Sequence, residues 1–481
     1  MSTTNQVQEQ RILLMREASV KKALMQLAIP SVIAMMVNAL YNFIDTMFVG
    51  MLNNTEAMAG VSVGFPLFMI ILAMGQLAGL GASSYAGRML GAGEMEKANR
   101  TAGIAVWMGV AFAVTSVVLG TIFIEPILGF MGATPDIMGY AKQYGIFVVA
   151  GSLFTVINMV FNNLLRTEGA AKISMTTLIL GAIINVILDP IFMFDWGLGL
   201  GVAGAAMATV IAQACSTIYI LSYYKKGKSI IKINKNSLFK KTEEDKMIAI
   251  NILKIGFPMF VMQILSSVAF GLLNSAAALF GSAALATLGI SNKIYMMVQQ
   301  VLAGYMQAFL PFTAFNMGAK QFKRVKEALI FSLALAAGIG VAATVVFNLI
   351  PEVFIRMFAQ DRAVIELGVN CLKAQTYIMA GVGCIMIMNS FFQAMGKAKE
   401  AAILAIGRQG LFFIPMVILL PKVFEGGVPS FLEGLTSYPM ESGLYGVMFA
   451  QPIADIITLV LAIVLGIKSI KILQELIKEH N

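Results

Sequence analysis

Asn162-Asn163-Leu164-Leu165-Arg166-Thr167-Glu168-Gly169-Ala170-Ala171-Lys172 returns 227 residues later as Asn389-Ser390-Phe391-Phe392-Gln393-Ala394-Met395-Gly396-Lys397-Ala398-Lys399. Each copy closes one apolar stretch and opens the next. On either side of it the echo continues: Ala28-Ile29-Pro30 with Gly256-Phe257-Pro258, Ala59-Gly60-Val61-Ser62 with Leu288-Gly289-Ile290-Ser291, and Gly91-Ala92 with Gly318-Ala319. Six apolar stretches separate the copies, an even number, so the two halves share a topology and are expected to be related by an axis along the membrane normal.

The membrane enters through composition. Of 481 residues 58% are hydrophobic and 12% charged, about half the charged fraction of an ordinary soluble domain. A mean hydropathy of +0.82 cannot be spread over soluble domains without exposing apolar surface that water would drive together. Charged clusters divide the chain into stretches near or above the ~20 residues that a helix needs to cross hydrocarbon. They are 23–49, 57–84, 101–124, 140–164, 172–194, 200–223, 248–275, 283–312, 327–350, 364–393, 400–421 and 443–467. The expected fold is an all-α integral membrane protein of twelve transmembrane helices in two six-helix bundles. Residues 1–22 form a polar N-terminal segment, 23–223 and 248–467 the bundles, 224–247 a basic linker and 468–481 a tail. Pro30, Pro66, Pro258 and Pro311 lie inside stretches and are expected to kink helices rather than break them.

The net charge of +9 suggests orientation rather than nucleic acid, because the bases lie in short clusters between apolar spans. Arg11, Arg16, Lys21 and Lys22 precede span one, Arg88, Lys97 and Arg100 follow span two, and Lys320, Lys323, Arg324 and Lys326 follow span eight. The linker adds Lys225, Lys226, Lys228, Lys232, Lys235, Lys240, Lys241 and Lys246. Both termini are therefore expected in the cytoplasm, with Arg356, Arg362 and Lys422 as outer exceptions. No apolar leader precedes a cleavage site, so no cleaved signal peptide is expected. Cys215, Cys371 and Cys384 have no metal-ligand spacing and the one histidine is His480. That inventory builds no disulfide framework, zinc site or nucleophilic catalytic pair, so no enzyme and no cofactor is expected.

Asp45, Asp189 and Asp455 lie well inside apolar spans. An ionisable group there costs at least ~2.5 kcal/mol on insertion scales and is a functional candidate by default. Asp45 is about 34 Å along the helix from Lys22 and Asp189 about 26 Å from Lys172 at 1.5 Å per residue, so both fall in the outer half. Thr209 reaches a comparable depth. Tyr41 stands four residues before Asp45 and Asn185 four before Asp189, which places each pair on one helix face. Asn38 continues the face. If spans one, five and six adjoin, Tyr41, Asp45, Asn185, Asp189 and Thr209 supply oxygens for a bare cation or for a shared proton. The blander readings are a helix-end acid at Asp45 and a partner for the Pro190-kinked backbone at Asp189. Asp455, with Gln451 four residues before it, is open to a structural hydrogen bond or to substrate contact. The second bundle has Asn274 near the repeat position of Asp45, and Phe412 and Met416 near those of Asn185 and Asp189. Cation coupling is therefore expected in the first bundle.

Tyr41-Asn42-Phe43-Ile44-Asp45-Thr46-Met47-Phe48-Val49-Gly50 resembles the first-helix motif of the MATE multidrug exporters. Asn185-Val186-Ile187-Leu188-Asp189-Pro190 with Gly199–Thr209 is similar to their fifth and sixth helices, and Arg408–Pro415 to the eleventh helix of their MepA-like bacterial branch. The resemblance implies two six-helix lobes in a bacterial cytoplasmic membrane and export of organic cations and amphipathic drugs in exchange for Na⁺ or H⁺. It assigns the cation site to Asp45, Asn185, Asp189, Tyr41 and Thr209, with Na⁺ held by Asp45, Asp189, Asn185 and Thr209 where sodium is the ion. The NorM-like branch places further carboxylates in helices seven and eight, where this chain has none.

A polyspecific path needs adaptable apolar walls with few polar handles. The 34 methionines and 32 phenylalanines can supply the walls, though any one of them more simply packs helices. The handles expected along it are Asn38, Gln76, Asn158, Gln263, Asn274, Gln299, Gln307, Asn389 and Asp455. The partners expected are small cationic or amphipathic molecules and the lipid bilayer, with the protein as a monomer. A flippase for a lipid-linked precursor is the alternative, and it would require several bases inside the spans to hold pyrophosphate. Only Lys293 and Arg408 come close.

Overall fold

The computed structural model describes residues 3–52, 54–233 and 242–480, so Lys235, Lys240 and Lys241 of the basic linker lie outside the described residues. In chain order the helices are α1 (Thr3–Arg16), α2 (Val20–Met51), α3 (Thr55–Gly91), α4 (Met95–Ile122), α5 (Ile124–Phe130), α6 (Pro135–Ala150), α7 (Ser152–Thr167), α8 (Ala171–Met193), α9 (Gly201–Lys225) and α10 (Glu243–Ala278). They continue as α11 (Ser282–Gly318), α12 (Phe322–Leu349), α13 (Pro351–Arg356), α14 (Arg362–Thr376), α15 (Met379–Ala394), α16 (Ala398–Ile406), α17 (Ile414–Glu425), α18 (Ser430–Glu433) and α19 (Ser442–Glu479). Gly407–Phe413, between α16 and α17, is π-helical.

Among the described residues nine helices are long and apolar enough to cross a membrane, and the bent pairs α6–α7 and α14–α15 raise the number to eleven. The twelfth expected crossing is α11, which is 37 residues long but diluted by Asn292, Lys293, Gln299, Gln300 and Gln307. Spans four and ten, expected as single helices, bend by 50° and 43°. The apolar run continues through both bends, so hydropathy does not register them. Pro30, Pro66, Pro258 and Pro311 all sit inside continuous helices.

The chain forms two compact units. Unit 1 comprises Met1–Phe260 with Gln307–Gln321 and Ala394–Gly396, and unit 2 comprises Val261–Met306, Phe322–Gln393 and Lys397–Asn481. In unit 1, α3 packs against α4, α6 and α7, and its buried face is rich in Gly and Ala, including Gly60, Gly75, Ala78, Gly79 and Ala82. Small residues let backbones approach where lipid supplies no hydrophobic drive for association. Large apolar side chains also face outward on the spans: in unit 1 Ile187 is 55% exposed and Ile218 63%. Apolar surface of that kind suits a hydrocarbon solvent.

The repeated sequence has a repeated backbone. Gly169 and Gly396 take φ of 74° and 76°, and the next amides, of Ala170 and Lys397, donate to Leu165 O and Phe392 O at 2.8 Å. Both helices are thus closed by a left-handed glycine that an L residue adopts only at a cost. A second repeat pair lies wholly in unit 1, where α3 meets the end of α11. A Cβ on Gly91 would fall 1.8 Å from Phe315 O, and one on Gly318 would fall 1.8 Å from Arg88 O. Adding 227 converts each contact into the other, the reciprocity that a local two-fold produces.

Glu168, inside the first copy of the repeat, ties unit 1 together beyond the spans. Its wholly buried carboxylate accepts from Ser229 Oγ at 2.5 Å and from the amides of Ile230 and Ile231 at 2.8 and 3.0 Å. Arg11 of α1 approaches it at 3.7 Å, and Gln8 donates to Gly227 O and Ser229 O. The N-terminal segment is therefore a docked helix, which its polar composition did not announce.

In unit 2, Phe413, Leu273, Val417 and Phe449 anchor the main core. Asn370, fully buried, holds the segment before α19: its Nδ2 donates to Tyr438 O at 2.7 Å, and its Oδ1 accepts from the amides of Ser437 and Tyr438 at 2.8 and 3.1 Å. Asn370→Ala should cost about 1–3 kcal/mol through the groups it strands. The measurement is limited proteolysis, in which cleavage within 426–441 should accelerate by about tenfold as the segment opens locally. An unchanged rate would mean that other contacts hold it.

Candidate functional site

Three helices of unit 1 form the site, with α8 packed on both α2 and α9. Asp189, wholly buried, and Asn185, 2% exposed, lie one turn apart on the inner face of α8. Asn185 Nδ2 donates to Asp189 Oδ1 at 3.1 Å and to Thr209 Oγ1 of α9 at 3.3 Å. From α2, Asp45 comes within hydrogen-bonding reach of Asp189. Tyr41, one turn before it, is an electrostatic neighbour of both acids. The five residues read from helix spacing are thus assembled in one place.

Three oxygens there lack partners. Asp45 Oδ1, Asp189 Oδ2 and Asn185 Oδ1 are buried and accept no hydrogen bond. Two carboxylates in a medium of low dielectric repel one another unless something positive lies between them. With an amide oxygen and the Thr209 hydroxyl alongside, the donors are all oxygen, the set that suits a hard cation. A proton shared by the two acids satisfies the same electrostatics.

Next to Tyr41 and Asn185 lies a small cavity of about 30 Å³, lined by Asn38, Tyr41, Asn158, Asn185, Thr209 and Gln213, among others. Asn38 and Asn158, read as handles of the substrate path, thereby share a cavity with Tyr41, Asn185 and Thr209 of the cluster. Asn158 Oδ1 accepts from Asn162 Nδ2 at 2.5 Å, while its own Nδ2 is buried without a partner. Tyr144 of α6 is the residue that sequence reasoning missed. It is 6% exposed and an electrostatic neighbour of Asp45, Tyr41 and Asp189. Its one sequence signal is Tyr140 a turn earlier, whose hydroxyl accepts from Asn54, the residue that caps α3.

The remaining handles divide between the units. In unit 1, Gln76 Oε1 accepts from Asn163 at 3.2 Å, and Gln307 Nε2 meets Met35 Sδ at 3.3 Å while its Oε1 is buried without a partner. In unit 2, Gln299 lies beside Tyr295, Asn389 accepts from Gln393 at 3.3 Å, Asn274 is exposed and Gln263 is half-buried. Asp455 is engaged: Arg408 Nε and Gln451 Nε2 donate to its Oδ1 at 2.8 and 2.9 Å.

Residues 30–191 and 258–419 each match the MatE family pattern, so the family unit occurs twice, in the two halves that the internal repeat delimits. The chain belongs to the MatE family. Family membership makes it a multi-pass membrane transporter rather than an enzyme. Among MatE relatives, the multidrug export protein MepA of Staphylococcus aureus (strain MRSA252) is 26% identical over 422 residues, 87% of this chain and 91% of MepA. The crystal structure of MATE in complex with MaL6 superposes with a TM-score of 0.86 at 26% identity, over 96% of this chain and 99% of that one. An outward-facing multidrug resistance MATE transporter of the MOP superfamily matches equally well, with a TM-score of 0.86, 25% identity, and 96% and 98% coverage. The MATE fold therefore extends over nearly the whole chain.

Proposed function

We propose that this MatE protein is a secondary efflux transporter that expels organic cations and amphipathic drugs in exchange for H⁺ or Na⁺ bound between Asp45 and Asp189. The observation that carries this reading is the convergence of three buried, unpartnered oxygens from α2 and α8 beside a polar-lined cavity. A cation there relieves the repulsion of two acids. Its release on the other side of the membrane restores the repulsion; a difference in cation affinity between the two access states couples substrate movement to the cation gradient, which drives it. Bundles 23–223 and 248–467, joined by the basic linker, alternate access around the path. The excess of bases near the termini and linker supports cytoplasmic ends, and the bacterial relative supports a bacterial cytoplasmic membrane. The protein acts as a monomer. Arg408 is bonded to Asp455 through two of its nitrogens, which withdraws one of the two bases that a pyrophosphate-lipid flippase would use.

The experiment is substrate efflux from proteoliposomes under a Na⁺ gradient and a pH gradient imposed separately. One gradient should drive substrate against its own concentration by roughly tenfold or more, corresponding to about 1.4 kcal/mol. Equilibration alone under both gradients would exclude coupling.

A further inference from the structure

Unit 2 neutralises its buried acid differently. Asp455 on α19 is wholly buried, and Arg408 is 8% exposed. Arg408 Nε and Nη2 donate to the two carboxylate oxygens at 2.8 and 3.4 Å, and Nη2 lies 3.5 Å from the Tyr295 hydroxyl. Arg408 stands on the π-helical turn Gly407–Phe413, a local widening of the helix that recurs at functional sites.

The repeat shows what this pair replaces. α9 begins Gly201-Val202-Ala203-Gly204-Ala205-Ala206-Met207-Ala208-Thr209, and α19 carries Gly443-Leu444-Tyr445-Gly446-Val447-Met448-Phe449-Ala450-Gln451. The shared spacing of two glycines and an alanine sets Gln451 against Thr209 and Asp455 against Gln213. The 227-residue interval sets Arg408 against Gly181. In unit 1, Gly181, Thr209 and Gln213 line the cavity next to Asn185, and Gly181 faces Ser216 and Ala212 of α9 with no side chain of its own. In unit 2 the matching positions carry a guanidinium, an amide and a carboxylate bonded to one another. Space in one repeat beside Asn185, the Asp189 partner whose own Oδ1 is unpartnered, corresponds to an arginine in the other.

We propose that Arg408 is a tethered counter-ion, which fills in the second repeat the role that the exchangeable cation fills in the first and keeps Asp455 from taking an ion from either side. This rests on the reading of Asp45 and Asp189 as the coupling site. Arginine stays protonated in proteins, its two-point bond matches a carboxylate, and a buried carboxylate without a counter-charge is strongly unfavourable. Each transport cycle then carries coupling ions through unit 1 alone.

The test compares Arg408→Met, Asp455→Leu, the double variant and Arg408→Lys in proteoliposomes, measuring substrate flux and cations moved per substrate. Arg408→Met should lose about tenfold in flux or gain a cation per substrate, because Asp455 is left uncompensated. Guanidinium ions added to that variant should restore flux. The double variant, which removes both charges, should return to within roughly threefold of wild type at the wild-type ratio, since the two changes are coupled. Arg408→Lys keeps a cation on the tether and should keep the ratio. Wild-type flux and ratio in Arg408→Met would overturn the proposal, as would a double variant no better than the single. So would a raised cation count in Arg408→Lys. Failure of the coupling site itself shows separately, in Asp45→Asn with Arg408 intact.

Discussion

Asp45→Asn should insert and fold yet lose gradient-driven efflux, with substrate accumulation falling roughly 5–150-fold, the span of coupling energies of about 1–3 kcal/mol. The substitution keeps the shape of the side chain and removes its charge. Asp45 Oδ1 has no partner in the protein, and an amide nitrogen at this position can donate to Asp189, which Asp45 already approaches. Stability should therefore be near wild type, while the pair loses the second negative charge that retains a cation. Asp189→Asn should behave alike. The double variant should be no worse than either single change, because groups acting as a unit are not additive. Efflux by vesicles under the driving gradient measures all three. Wild-type accumulation in Asp45→Asn, or losses that multiply in the double variant, would remove the two acids as a joint site.

Gly91→Ala should destabilise the protein by about 1–3 kcal/mol or more, the range for overpacked contacts. The new Cβ would stand 1.8 Å from Phe315 O, and a backbone carbonyl cannot swing aside as a side chain can. Gly318→Ala meets Arg88 O at the same distance and should cost as much. Since the two clashes are two ends of one crossing, parting the helices for the first relieves the second. The double variant should then cost clearly less than the sum of the singles. Thermal unfolding in detergent reads the shifts. Two singles without effect, or a double that is fully additive, would contradict the close packing of α3 on the end of α11.

Much of this was legible because the informative residues are rare against their background. An acid in an apolar run is conspicuous, and the four-residue steps from Tyr41 to Asp45 and from Asn185 to Asp189 put each pair on one face of a helix. The repeated Gly169 and Gly396 marked the same helix closure twice, which the backbone shows at φ of 74° and 76°. What escaped depends on distance in three dimensions. Tyr144 has no acid three or four residues away on its own helix, so nothing local ties it to Asp45. The bends in spans four and ten and the π turn at Gly407–Phe413 lie inside apolar runs that score alike whether straight or distorted. For Asp455 the spacing left a structural hydrogen bond and substrate contact both open; Gln451 bonds it as that spacing allowed, but Arg408, 47 residues away, has no local signal linking it to the acid.

The most direct test counts both sides of the exchange in the same vesicles. Purified protein in proteoliposomes, given substrate on one side and the coupling cation on the other, should move the two in opposite directions at a fixed ratio. In Asp45→Asn both fluxes should fall together. Substrate movement that runs only down its own gradient, with no matching cation flux in the wild-type protein, would contradict coupling at Asp45 and Asp189.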